Sequence, residues 1–226
     1  MTVRTKICGI TREADALAAV RSGVDALGFM FYPKSKRYTT PQRAHQIIRT
    51  LPPLVSRVGI FVNESIEQIM QVKETCELDV IQLHGDETPE FCEAIPGKVI
   101  KAFRLKSPET VTTARNFATD AWLFDSYEPD QRGGTGSRFN WDWIQQASPL
   151  ERPFFVAGGL NSENVAACVK TTQPYAVDVS SGVEDQPGLK NAEKMKQFLL
   201  ATRTAAAELM APSLPTKQES TSATHD

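Results

Sequence analysis

Residues Pro153–Gly182 read PFFVAGGLNSENVAACVKTTQPYAVDVSSG. A short apolar run, Phe154–Ala157, ends on two glycines, and a helical pattern opens at Ser162. A second apolar run, Tyr175–Val179, ends on Ser180, Ser181 and Gly182. Runs of this length, rich in aromatic and β-branched residues, suit strands, and the amphipathic stretch between them suits a helix. Two strands joined through a helix lie parallel, and a parallel sheet needs cover on both faces. Its strands are therefore apolar runs more than strict alternators.

The same cadence extends toward the N-terminus. Thr5–Cys8 precedes a helix with Thr11 as its N-cap and Gly23 as its stop; Ala26–Phe31 precedes a helix from Pro41; Val55–Val62 precedes one from Ser65. Val80–Leu83 is followed by a helix over Thr88–Ala94, Val99–Phe103 by one from Pro108, and Trp122–Asp125 by a short one near Trp141. After the eighth strand a helix opens at Asn191. Eight βα units in roughly 200 residues predict a single closed (β/α)8 TIM barrel; an open doubly wound sheet usually stops earlier. The barrel domain is expected over residues 1–203. Residues 204–226, rich in Ser, Thr and Pro and nearly devoid of large apolar side chains, are expected to form a disordered tail.

The 226 residues hold 25 Lys and Arg against 27 Asp and Glu, a formal charge of −2 that belongs wholly to the tail beyond Arg203. A balance so close to neutral excludes a surface that binds nucleic acid through backbone charge. No stretch approaches the ~18 apolar residues of a membrane span, and MTVRTKICGI lacks the apolar core of a secretory signal. A cytoplasmic protein is expected. Cys8, Cys76, Cys92 and Cys168 form no C-x-x-C pair and have no neighbouring histidine, so neither disulfides nor a metal site are expected. Cys76, Cys92 and Cys168 fall in helical patterns and read as small buried hydrophobes.

In a parallel barrel the active site forms at the C-terminal ends of the strands, so the polar residues that close each run are the candidates. They are Cys8, the Tyr32–Arg37 loop, Asn63, His84, Arg104, Asp125, the Gly158-Gly159 pair and Ser180-Ser181-Gly182. Glycines and small hydroxyls after the last two strands build a phosphate site from backbone N–H groups, although such turns also arise simply because glycine favours them. At a strand end Cys8 could serve as a thiolate base, or be a buried hydrophobe. Asp125 could be a proton donor whose acidity desolvation weakens, or a structural anchor. Lys34, Lys36 and Arg37 are either solvated surface or a seat for a carboxylate or phosphate, with Arg better suited to two-pronged contact. His84 reads as a polar wall, an acid/base or a satisfied structural group. A glycine loop at residues 132–136, RGGTG, could form a flap over the ligand.

Seven motifs then stand in one order: KICGIT (6–11), GFMFYPKSKRY (28–38), VGIFVN (58–63), IQLHGDE (81–87), FDSYEP with GGTG, AGGLNSENV (157–165), and DVSSGVE with PGLKN (178–191). Together they resemble the N-(5'-phosphoribosyl)anthranilate isomerase family over nearly all of residues 4–200. The resemblance implies a (β/α)8 barrel that performs the Amadori rearrangement of phosphoribosylanthranilate in tryptophan biosynthesis, without metal or organic cofactor. It implies Cys8 as general base, Asp125 as general acid and Arg37 as the binder of the anthranilate carboxylate; His84, at the end of strand four, is a secondary candidate for a substrate contact. The phosphate is expected at Gly158, Gly159, Ser181 and Gly182, with Asp178 beside them. One departure is visible: Lys36 stands where the family commonly has proline, which implies a less rigid loop. The implied partner is a small phosphosugar, with no nucleic acid and no membrane, and a monomer is expected over a homodimer. Indole-3-glycerol phosphate synthase fits less well, since it would need a lysine at an early strand end where this chain has Cys8. A metal-dependent epimerase would need clustered ligands that three scattered histidines do not supply. The remaining rival is a barrel that binds phosphosugars without catalysis, against which stands the presence of both Cys8 and Asp125.

Overall fold

A computed structural model of the chain describes residues 2–126, 141–146 and 149–210. Eight parallel strands close into a barrel in chain order: β1 (Arg4–Cys8), β2 (Ala26–Met30), β3 (Ser56–Phe61), β4 (Val80–Leu83), β5 (Lys98–Leu105), β6 (Ala121–Ser126), β7 (Phe154–Val156) and β8 (Ala176–Val179). β8 pairs back onto β1, with Lys6 opposite Asp178. Helices α1 (Glu13–Arg21), α2 (Pro41–Ile48), α3 (Ile66–Cys76), α4 (Pro89–Glu93), α5 (Pro108–Ala114), α6 (Asp142–Gln146), α7 (Val165–Thr172) and α8 (Ala192–Met210) alternate with them. Beyond β8 lie a 3₁₀ turn (Ser181–Val183) and a two-stranded hairpin, β9 (Glu184–Gln186) with β10 (Leu189–Lys190).

Side chains alternate between the faces of each strand. One face fills the barrel: Ile100, Ala102, Ala121, Leu123, Phe155, Ala157 and Ala176 form a separate buried cluster. The other packs under the helices in the larger core, with Val99, Phe103, Leu105, Trp122, Phe124, Val156 and Val177. Lys6 and Cys8, Gln82 and His84, Asp125, and Asp178 fall on the inward parity. Lys101 falls on the outward one.

Thr40, Ser65 and Thr88 cap α2, α3 and α4, each accepting the backbone N–H three residues on, and proline follows at Pro41 and Pro89. Thr11 does not cap α1. Its hydroxyl donates to the Gly188 carbonyl (2.7 Å), and the helix begins two residues later behind an extended Arg12. α7 begins at Val165 instead of Ser162, because the Asn161 side chain accepts the N–H groups of Glu163 and Asn164 and holds the preceding turn. β5 runs on to Leu105, which places Arg104 inside the strand. The expected boundary at residue 203 also moves: α8 continues to Met210, and Ala205 and Ala206 are buried. The alanine run that looked too poor in large apolar groups to fold is a strong helix former and packs one face inward. Residues 211–226 and the glycine loop 132–136 lie outside the described residues. Among the described residues no helix is long and apolar enough to cross a membrane.

Candidate active site

A cavity of about 550 Å³ opens at the C-terminal ends of the strands. Cys8, Arg37, His84, Asp125, Gly158, Gly159, Asp178 and Ser181 all line it, together with Tyr32, Lys34 and Lys36. Asn63 and Arg104 do not; both turn to Asp86 at the rim, the Asn63 amide at 3.3 Å and the Arg104 guanidinium at 2.9 Å.

Cys8 is a buried, free thiol. Burial pushes it above its ordinary value, while the ammonium of Lys6 beneath it, and more remotely Lys190 and Arg37, pull the other way. Lys6 is itself fully buried, with Nζ 2.9 Å from Asp178 Oδ2. Burial works against the charge of Lys6, and Asp178 and Cys8 outweigh it, so its pKa ends raised. Asp178 Oδ1 has no hydrogen-bond partner. Asp178 lies on β8 and lines the cavity just ahead of the Ser180–Gly182 turn; its Oδ2 is held by Lys6, and a carboxylate offers no N–H to a phosphate.

Across the mouth, His84 Nε2 lies 3.2 Å from Asp125 Oδ2, too poorly aligned for a hydrogen bond. The Gln82 amide, two residues back on the same strand, sits 2.9 Å from His84 Nδ1. With that nitrogen accepting from the amide, the ring proton sits on Nε2. Asp125 lines the cavity, and its Oδ1 is buried without a hydrogen-bond partner.

Arg37 closes one side. Its Nε and Nη2 donate to the two Glu184 oxygens at 2.8 and 2.7 Å, and its own backbone N–H donates to Ser35 Oγ. The loop without the expected proline is thus tied by side chains. At the opposite side Gly158 (φ +80°) and Gly159 (φ +63°) take consecutive left-handed conformations that disfavour any side chain. Asn164 braces them, its Nδ2 donating to the Gly159 carbonyl (2.8 Å). Ser181 and Gly182 lie in the 3₁₀ turn after β8.

Lys6, Gln82 and Glu184 were not among the candidates. Lys6 and Gln82 share a strand face with Cys8 and His84, two residues away, a spacing that could have found them; Glu184 sits in the quoted DVSSGVE motif.

The family described as N-(5'phosphoribosyl)anthranilate (PRA) isomerase matches residues 5–201. The chain belongs to the phosphoribosylanthranilate isomerase family. A relative of that name from Geobacter sulfurreducens is 49% identical over 197 residues, covering 87% of this chain and 97% of the relative. A solved structure of the Thermotoga maritima isomerase, described as monomers of a dimeric enzyme, superposes with a TM-score of 0.82 at 40% identity over 90% of this chain and all of that one. Another, at 42% identity and a TM-score of 0.81 with the same coverage, is a phosphoribosylanthranilate isomerase in complex with reduced 1-(o-carboxyphenylamino)-1-deoxyribulose 5-phosphate. The activity is that of the family, isomerisation of phosphoribosylanthranilate in tryptophan biosynthesis.

Proposed function

We propose that the isomerisation runs by general acid/base catalysis between Cys8 and Asp125, without metal or organic cofactor. The observation that carries this reading is that both residues line one cavity with Arg37 on one side and the paired glycine turn on another. Asp125 donates a proton to the furanose ring oxygen, and the nitrogen lone pair opens the ring to a protonated Schiff base. The Cys8 thiolate then removes the C2' proton, giving an enolamine that tautomerises to the ketone. Lys6 favours the charged form of that base, and His84 Nε2, 3.2 Å from Oδ2, stands beside the carboxylate that Asp125 becomes.

Position is set from the ends of the substrate. Backbone N–H groups at Gly158, Gly159, Ser181 and Gly182 hold the phosphate, while Arg37 holds the anthranilate carboxylate, so the C1'–C2' segment is fixed between base and acid. His84 lines the space in between. Asp178 is left to the sugar end of the pocket.

The ligand is a small phosphosugar, and a cytoplasmic monomer with a barrel domain ending near Met210 completes the reading. Sedimentation at micromolar concentration checks the assembly.

The test is turnover of phosphoribosylanthranilate by purified protein in the presence of a chelator. Cys8→Ala and Asp125→Ala are each expected to lose about 10²–10⁴-fold in kcat while keeping the native melting transition. Full activity in either would overturn the roles; no activity in the parent would favour a binding-only barrel.

A further inference from the structure

Arg37 reaches the cavity on a loop, and its stem is confined: a Cβ on Gly9 would lie 2.5 Å from its Cδ. Its guanidinium is held on one edge only. Nε and Nη2 face Glu184 Oε1 and Oε2, both at hydrogen-bond distance, and the guanidinium is planar with its donors in a fixed fork. With that side edge filled, the end edge formed by Nη1 and the second N–H of Nη2 is the one left to a ligand, and it matches a carboxylate with two parallel bonds.

Glu184 is itself fixed from other directions. Its Oε1 accepts Lys190 Nζ at 2.7 Å and the Gly188 N–H at 3.2 Å. Lys190 is buried, and its ammonium also donates to the Cys8 carbonyl (2.6 Å) and the Ser180 carbonyl (3.2 Å). Burial works against ionisation of Glu184, but Arg37 and Lys190 overcome it and hold the carboxyl below its usual 4.5. The hairpin β9–β10 therefore brings one anion and one cation to Arg37. They cancel, and the charge of Arg37 remains for the substrate.

We propose that Glu184 is the positioning residue of the substrate-carboxylate site, aiming the end edge of Arg37 at the anthranilate carboxylate. The proposal rests on the reading of Arg37 given above. It makes Glu184 matter for substrates that carry the carboxylate and not for those that lack it, a distinction that a merely structural role would not produce.

The experiment compares phosphoribosylanthranilate with N-(5'-phosphoribosyl)aniline, which lacks the carboxylate, in the parent, Arg37→Ala, Glu184→Gln and the double variant. Glu184→Gln is expected to lower kcat/KM for the carboxylate substrate about tenfold or more, mostly through KM, and to change it less than threefold for the aniline substrate. In the Arg37→Ala background the Glu184 change is expected to leave the ratio between substrates where Arg37→Ala alone puts it. If Arg37→Ala collapses the ratio and Glu184→Gln does not, the positioning role is wrong. A ratio that survives Arg37→Ala overturns the Arg37 reading beneath it. Should Glu184→Gln lose its native melt, Glu184→Asp, one methylene short but still charged, is measured in its place against the same ratio.

Discussion

Two buried lysine–carboxylate pairs lie on opposite faces of the same sheet. Outside the barrel wall, under the helices, Lys101 Nζ is 2.8 Å from Glu87 Oε2 and donates at the same distance to the Gly85 carbonyl. Glu87 Oε1 takes the N–H of Asn63, and Oε2 also takes that of Gly85. Both carboxylate oxygens have several donors. Inside the wall, Lys6 Nζ meets Asp178 Oδ2 at 2.9 Å, and Asp178 Oδ1 meets nothing. The two pairs share chemistry and burial and differ in satisfaction. A saturated pair pins a strand to the loop beside it; a pair with a buried, unpartnered oxygen, on a residue that lines the cavity, leaves a hydrogen-bonding demand unmet beside the chemistry.

Substitutions that break one pair at a time test this contrast. The largest effect is expected from Lys101→Met, which strands the Glu87 charge: about 3–5 kcal/mol of stability by denaturant titration, with kcat/KM of the folded fraction unchanged. Adding Glu87→Gln should recover part of the loss. A fall in kcat/KM would place the outer pair in the catalytic apparatus and end the distinction. Lys6→Met strands the Asp178 charge and should also cost stability, but unlike Lys101→Met it is expected to lower kcat of the folded fraction, about 10²-fold, as the thiol loses its neighbouring cation.

The pH profile sharpens that second expectation. The thiol is pushed above its ordinary 9.0 by burial, against Lys6, Lys190 and Arg37 and with Asp178, so kcat/KM should rise toward alkaline pH as the base ionises. Removing Lys6 removes a force that lowers this pKa and should move the rise further up; a shift downward would contradict the assignment. The smallest effect concerns the other cysteines. Burial pushes all four thiols up, Cys8 included, and Cys8 alone of the four lines the cavity. Mass spectrometry after brief native alkylation should therefore find the first adduct at Cys8, and prior addition of product should protect it.

The barrel was legible because each strand is a compact apolar run and each turn carries its own punctuation. The site was legible where a residue ends a strand, as at Cys8, His84 and Asp125. It was obscured where a charge lies within a run: TKIC and VIKAF both read as apolar strands, yet one lysine points into the barrel and the other toward the helices. Counting parity from Cys8 separates Lys6 from its neighbours, but no local pattern reports that Asp178 stands opposite it, since that register comes from closing the barrel. The Ala-rich end of α8 was misread for a related reason: its burial depends on what it packs against.

The bonds that hold the site together span nearly the whole chain, joining Arg37 to Glu184, Lys6 to Asp178 and Lys190 to the Cys8 carbonyl. A polypeptide emerging from the ribosome can pair β1 with β2 early, but it cannot orient its arginine or charge its base until the ninth and tenth strands are made. Competence in this fold arrives late in synthesis, because Cys8 and Arg37 lie on the first two βα units of the barrel, whereas Glu184 and Lys190, which hold them, follow its eighth strand.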